Sequence, residues 1–103
     1  AWVGESEESA KEKGLEYEIV KLPMLYSGRF VAENEEFDGL CKILIDRRKR
    51  TILGCHMIGN YSSEIIYGVG VMIESQLRVE DIKDIVFPHP TVSEIIREVI
   101  FEL

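Results

Sequence analysis

The sequence is poor in the residues that most often announce chemistry. Its 103 residues include two cysteines, two histidines, three prolines and one tryptophan. Cys41 and Cys55 lie in apolar, strand-like contexts, matching neither a CxxC redox pair nor a zinc-ligand spacing. They read as small core hydrophobes, with no disulfide expected in a cytoplasmic setting. Long apolar runs are missing too: the longest, "IIYGVGVMI" at 65–73, is too short to span a bilayer. Positive charge is scarce. A formal net charge of −7 and a pI near 4.8 argue against nucleic acid or an anionic membrane surface as partner. No nucleophile elbow, phosphate loop or metal-ligand cluster is present, so neither a metal nor a cofactor-binding residue is assigned within the chain. No secretory signal pattern opens it, which reads as cytoplasmic. Position 1 is Ala rather than Met, which reads as a segment of a longer protein.

What is there suits one compact domain, 1–103, since 46% hydrophobic content is normal for a packed core. "SEESAKEKG" (6–14) has a cap serine, an acidic first turn and closing lysines before Gly14, an order that suits a short surface helix. "LEYEIVKLP" (15–23) alternates as a strand and stops at Pro23. "YSGRFVAENEEFDG" is turn-rich, with a short strand expected near Phe30. The apolar runs "LCKILID" (40–46) and "TILGCHMIG" (51–59) flank "RRKR" and predict an antiparallel hairpin with a basic turn. A phosphate or nucleic-acid patch is the functional reading of that turn, and a solvated loop is favoured on so acidic a chain.

Within "SSEIIYGVGVMIESQ" (62–76), Ile65, Ile66, Val69, Met72 and Ile73 fall at helical spacing, with Ser62 or Ser63 as cap. Its "GVG" lacks the third glycine of a dinucleotide loop, so Gly68 and Gly70 are read as allowing close packing against another helix. "RVEDIKDIV" (78–86) suggests a further short helix, and "TVSEIIREVIFEL" gathers Ile95, Ile96, Val99, Ile100 and Leu103 on one face. Helices flanking antiparallel strands make the class α+β.

Two of the three prolines enclose one of the two histidines, in "FPHPTVSE" (87–94). Proline fixes its own φ and biases the residue before it, so His89 is restrained from both sides. Histidine is the default general base near neutral pH, and a useful base needs a partner that selects its tautomer. Glu94, one turn into the next helix, could supply that carboxylate. Equally, Thr91-Val92-Ser93-Glu94 is a T-x-x-E capping box, in which Glu94 reaches back to the Thr91 N–H. The two roles compete for one carboxylate, and spacing alone favours the cap. His56, inside the second hairpin strand, reads as a satisfied strand histidine. Glu64 and Asp81 form no paired-carboxylate site.

"HPTVSE" resembles the C-terminal signature of the pyridine nucleotide–disulfide oxidoreductases, most closely their dihydrolipoamide dehydrogenase branch. The similarity extends across nearly the whole chain. "AWVGESEESAKEKG" is similar to the entry into that family's C-terminal domain, and "GLCKILIDRRKRTILGCHMIGNYSSEII" to its hairpin and following helix. The resemblance implies a dimerisation domain whose FAD and NAD domains, with the redox-active cysteine pair, precede it and are absent here. It implies that His89 enters the partner subunit's active site as acid/base for a dihydrolipoamide-type dithiol, held by Glu94. No FAD or NAD is expected on these residues alone, and the isolated chain is expected to be inactive. Phe87 stands where a second histidine is frequent in that branch. Ile95 and the ending Phe101-Glu102-Leu103 set the chain apart from glutathione-reductase-like and mercuric-reductase-like members. The alternatives are a glutathione-reductase-like origin, or a non-catalytic homodimerisation module in which the Gly-containing helix and the 91–103 helix supply the surface.

Overall fold

A computed structural model of the chain describes residues 1–33 and 39–103. Its elements are β1 (Trp2–Gly4), α1 (Glu7–Glu12), β2 (Tyr17–Pro23), a 3₁₀ turn (Met24–Tyr26), α2 (Gly28–Glu33), β3 (Leu40–Asp46), β4 (Ile52–Ile58), α3 (Ser62–Glu74), α4 (Val79–Lys83) and α5 (Glu94–Phe101). The strands form one antiparallel sheet in the order β1-β4-β3-β2. The fold is α+β, as the alternation of periods in the sequence predicts.

The predicted hairpin is the centre of that sheet. Asp46 closes its turn by accepting from the backbone N–H of Arg48 and Lys49, both at 2.9 Å. Arg47 donates to the Tyr17 carbonyl at 3.1 Å, and Arg50 pairs with Glu18 and Glu80. The basic run is thus partly tied to neighbouring elements, and the rest lies in solvent.

Side chains alternate across a strand, and β3 uses both faces. Cys41, Ile43 and Ile45 join Cys55 and Met57 of β4 in the main core, with Ile95, Ile96, Val99 and Ile100 of α5 and Val69 of α3. Lys42 points the other way and pairs with Glu7 of α1 at 3.0 Å. Both cysteines are buried free thiols, as their contexts suggest. The neighbouring Cys55 and burial push the Cys41 thiol far above its ordinary range.

Several expectations are corrected. Phe30 lies in α2, not in a strand: Ser27 accepts from the Phe30 N–H at 3.3 Å, starts a helical turn, and the ring is buried in the core. The rest of the stretch expected to be turn-rich, 34–38, lies outside the described residues. At the start of α3 neither serine caps. Tyr61 takes that position with φ +71°, because the Ser62 hydroxyl donates back to the Gly59 carbonyl at 2.7 Å.

Within the described residues Gly68 and Gly70 meet no other helix. A Cβ on Gly68 would meet nothing within 4 Å, and one on Gly70 only the Val3 side chain at 3.7 Å. Strand β1 had no periodic signal in three residues, yet it pairs with β4 from Trp2↔His56 to Gly4↔Gly54. That pairing needs glycine: a Cβ on Gly54 would sit 1.9 Å from the Glu5 carbonyl oxygen. Finally, α5 buries its apolar face within the domain. Helix α3, with Tyr67 and Val71 exposed beside an exposed Trp2, keeps an apolar outer face.

Candidate functional site

The histidine loop is built where α4 ends and α5 has not yet begun. Phe87 packs against the main core and anchors the loop on one side, and Val92 anchors it on the other. Between them His89 is carried outward, its side chain 79% exposed, and the His89–Pro90 bond is cis. Thr91 closes the turn through its hydroxyl, which donates to the Pro88 carbonyl at 2.8 Å.

Glu94 opens α5 and turns back over this loop. One oxygen accepts from the Thr91 N–H at 2.9 Å and from His89 Nδ1 at 2.8 Å, and the second lies 3.0 Å from Nδ1. The two roles weighed for this carboxylate are therefore both filled. The capping box itself is only half formed, because the Thr91 hydroxyl is spent on Pro88 and the helix begins later, at Glu94. The Thr91 N–H, and after it His89, hold the Glu94 carboxyl below its ordinary 4.5. Near neutral pH Glu94 is ionised and can only accept, so Nδ1 must carry the proton of their hydrogen bond. Nε2 is then the ring nitrogen with a free lone pair.

The loop's other support comes from far away in sequence. Ser27 is buried, and its hydroxyl donates to the Thr91 carbonyl at 3.2 Å. Sequence reading gave no hint of this residue: a lone serine in a polar stretch carries no pattern. A groove of about 280 Å³ runs along Pro90–Ser93, walled by Arg29, Glu33, Tyr61, Glu64 and Ile65. His89 is not among its lining residues. His56 lies apart, its Nε2 3.2 Å from the Glu5 carbonyl, a satisfied strand histidine as read. Asp81 accepts from the Arg78 N–H at 3.0 Å and so serves α4 locally. Among the described residues no group of three or more His, Cys, Asp or Glu could hold a metal ion. No described helix is long and apolar enough to cross a membrane.

The fold is an α+β domain similar to one found in flavoprotein disulfide reductases. The fold matches the HOCl-induced flavoprotein disulfide reductase RclA from Escherichia coli with a TM-score of 0.89 and 28% identity, over 97% of this chain and 23% of that one. It also matches LpdA from Mycobacterium tuberculosis, TM-score 0.87, over 98% of this chain and 22% of that one, where 20% identity carries the likeness in fold alone.

The chain belongs to the pyridine nucleotide-disulphide oxidoreductase dimerisation-domain family, whose model matches residues 1–100. Among its relatives are the mitochondrial dihydrolipoyl dehydrogenases of Sus scrofa, 40% identical over 98 residues, and of Caenorhabditis elegans, 37% identical. Those matches cover 95% of this chain but 19% and 20% of the relatives, so the chain spans about a fifth of their length. It is a dimerisation domain of that family, similar in sequence to the matched fifth of those dihydrolipoyl dehydrogenases.

Proposed function

We propose that the domain supplies His89 as acid/base, in trans, to the dithiol–disulfide site of its partner subunit in a homodimeric flavoenzyme acting on a dihydrolipoamide-type dithiol. The observation that carries this reading is an imidazole with a selected tautomer and nothing of its own to act on. Its Nδ1 is engaged by Glu94, while its side chain stands 79% exposed outside the neighbouring groove. A base must lie within hydrogen-bond reach of the proton that it takes, and sites are concave. A fixed but uncovered base is half of such a site.

The proton chemistry follows from the tautomer. The substrate thiol gives its S–H proton to Nε2, and the imidazolium so formed is stabilised through Nδ1–H by the Glu94 carboxylate. The thiolate attacks one sulfur of a disulfide, forming a mixed disulfide and releasing the other sulfur as thiolate. Electrons thus leave as a sulfur–sulfur bond exchange, and His89 handles only the proton.

Gly68 and Gly70 lie inside α3 rather than in a loop between strand and helix. In the proposal FAD and NAD are held by domains outside these residues, the redox cysteine pair with them, and the compartment is cytoplasmic. The apolar outer face of α3 beside Trp2 is the surface offered to the partner subunit.

The test is His89→Gln in the full-length enzyme. Dithiol-driven NAD reduction should fall by about 10²–10⁴-fold, the usual contribution of general acid–base catalysis, with FAD content and dimer unchanged. Turnover at the wild-type rate would sink the reading.

A further inference from the structure

Ser27 is one of two buried polar residues in the described chain, and its hydroxyl is used twice. It accepts from the Phe30 N–H at 3.3 Å, which serves α2 locally. It also donates to the Thr91 carbonyl at 3.2 Å, across 64 residues of sequence. The second bond is not needed to build α2, and Thr91 already has one local partner at that oxygen, the Glu94 N–H at 3.3 Å. What Ser27 adds is a link from the histidine loop to the body of the domain.

The Thr91 peptide is gripped at both ends. Its carbonyl is held by Ser27 and its N–H by the Glu94 carboxylate, which in turn holds His89 Nδ1. Ser27 itself is fixed because Met24 and Phe30, on either side of it, are buried in the core. His89, by contrast, has only solvent around most of its side chain. Its direction therefore depends on the frame to which its partner is bonded, and Ser27 joins that frame to the core.

We propose that Ser27 is a positioning residue for His89, acting through the Thr91 peptide and the Glu94 carboxylate. This rests on the acid/base reading of His89, and the two fail separately. In the full-length enzyme Ser27→Ala should lower kcat for dithiol oxidation by about three- to tenfold, the equivalent of one net hydrogen bond. KM for the dithiol and FAD content should be unchanged. Ser27→Thr, which keeps the hydroxyl, should restore most of the rate. In a Glu94→Gln background Ser27→Ala should cost almost nothing more, because the path from Ser27 to the imidazole is already broken.

A wild-type kcat in Ser27→Ala alongside an inactive His89→Gln would overturn the Ser27 proposal and leave the acid/base reading standing. So would a Ser27→Ala loss that simply multiplies the Glu94→Gln loss, since that marks an independent structural defect. Should Ser27→Ala fail to fold, Ser27→Cys carries the same expectations. It fills the space but donates weakly, and an unchanged kcat there refutes the proposal equally. A fully active His89→Gln would remove the acid/base reading itself, and this proposal with it.

Discussion

Replacing Glu94 by Gln changes one charge and almost no volume, and the consequences can be followed atom by atom. The native carboxylate serves three contacts, of 2.8, 2.9 and 3.0 Å, with two accepting oxygens. The amide that replaces it keeps one oxygen for the Thr91 N–H or the imidazole. Its NH₂ group would confront either the Thr91 N–H or His89 Nδ1–H. The second tautomer, with Nε2 protonated, then becomes competitive, and that form has no lone pair facing out. A hydrogen bond to a charged group contributes about 1.5–3 kcal/mol. With the imidazole largely in solvent, the lower half of that range applies, so kcat should fall about ten- to fortyfold. The assay is steady-state dithiol-driven NAD reduction by the full-length enzyme, with the dimer checked by gel filtration. If Glu94→Gln keeps the wild-type kcat while His89→Gln is inactive, the carboxylate is a helix cap and the orienting argument is wrong.

Three other outcomes follow from the same structure. Because the folded-state carboxyl of Glu94 is held below its ordinary 4.5, its stabilising contribution is fully present above that value and is lost as pH falls through the folded value. Urea unfolding should therefore show a gap between wild type and Glu94→Gln that is present at about pH 5 and closes in stronger acid. A gap that persists unchanged in acid would show that the charge is not what stabilises the loop. Gly54→Ala should detach β1, since the added Cβ would lie 1.9 Å from the Glu5 carbonyl oxygen. Amide exchange should rise in β1 while the hairpin of β3 and β4 stays protected, and unchanged β1 protection would contradict the close approach. Cys41 and Cys55, both fully buried, should resist a thiol reagent in the native state and react together only in denaturant. Rapid native labelling would show that the sheet face is open.

Much of the fold was legible because most elements advertise themselves in local patterns. The hairpin announces its strands by apolar runs on either side of a basic turn, and α5 by five apolar residues at helical spacing. What escaped depends on contacts that no local pattern records. Strand β1 exists because β4 offers it an edge and Gly54 lets the backbones meet. Phe30 was misplaced because a single aromatic in a polar stretch has no period, and the Ser27 hydroxyl that starts its helix looks like any turn serine. For Gly68 and Gly70 spacing suggests a packed helix but does not say whether the partner lies within the chain, and within it none meets them. At the site, spacing found both His89 and Glu94. It could not show that a carboxylate with two oxygens can satisfy Thr91 and His89 at once, which only the return of the chain over the loop makes possible.

That sharing has a consequence for how the sequence can change. At most sites a protein can trade stability against activity, because different atoms carry each. At Glu94 one carboxylate, 2.9 Å from the Thr91 N–H and 2.8 and 3.0 Å from His89 Nδ1, would carry both on the proposed acid/base reading. Aspartate, one methylene shorter, would have to give up either the Thr91 N–H or the ring. On that reading position 94 offers no intermediate step: a change that spares the imidazole contact spares the Thr91 contact with it, and one that abandons the histidine removes half of the reason for a glutamate there.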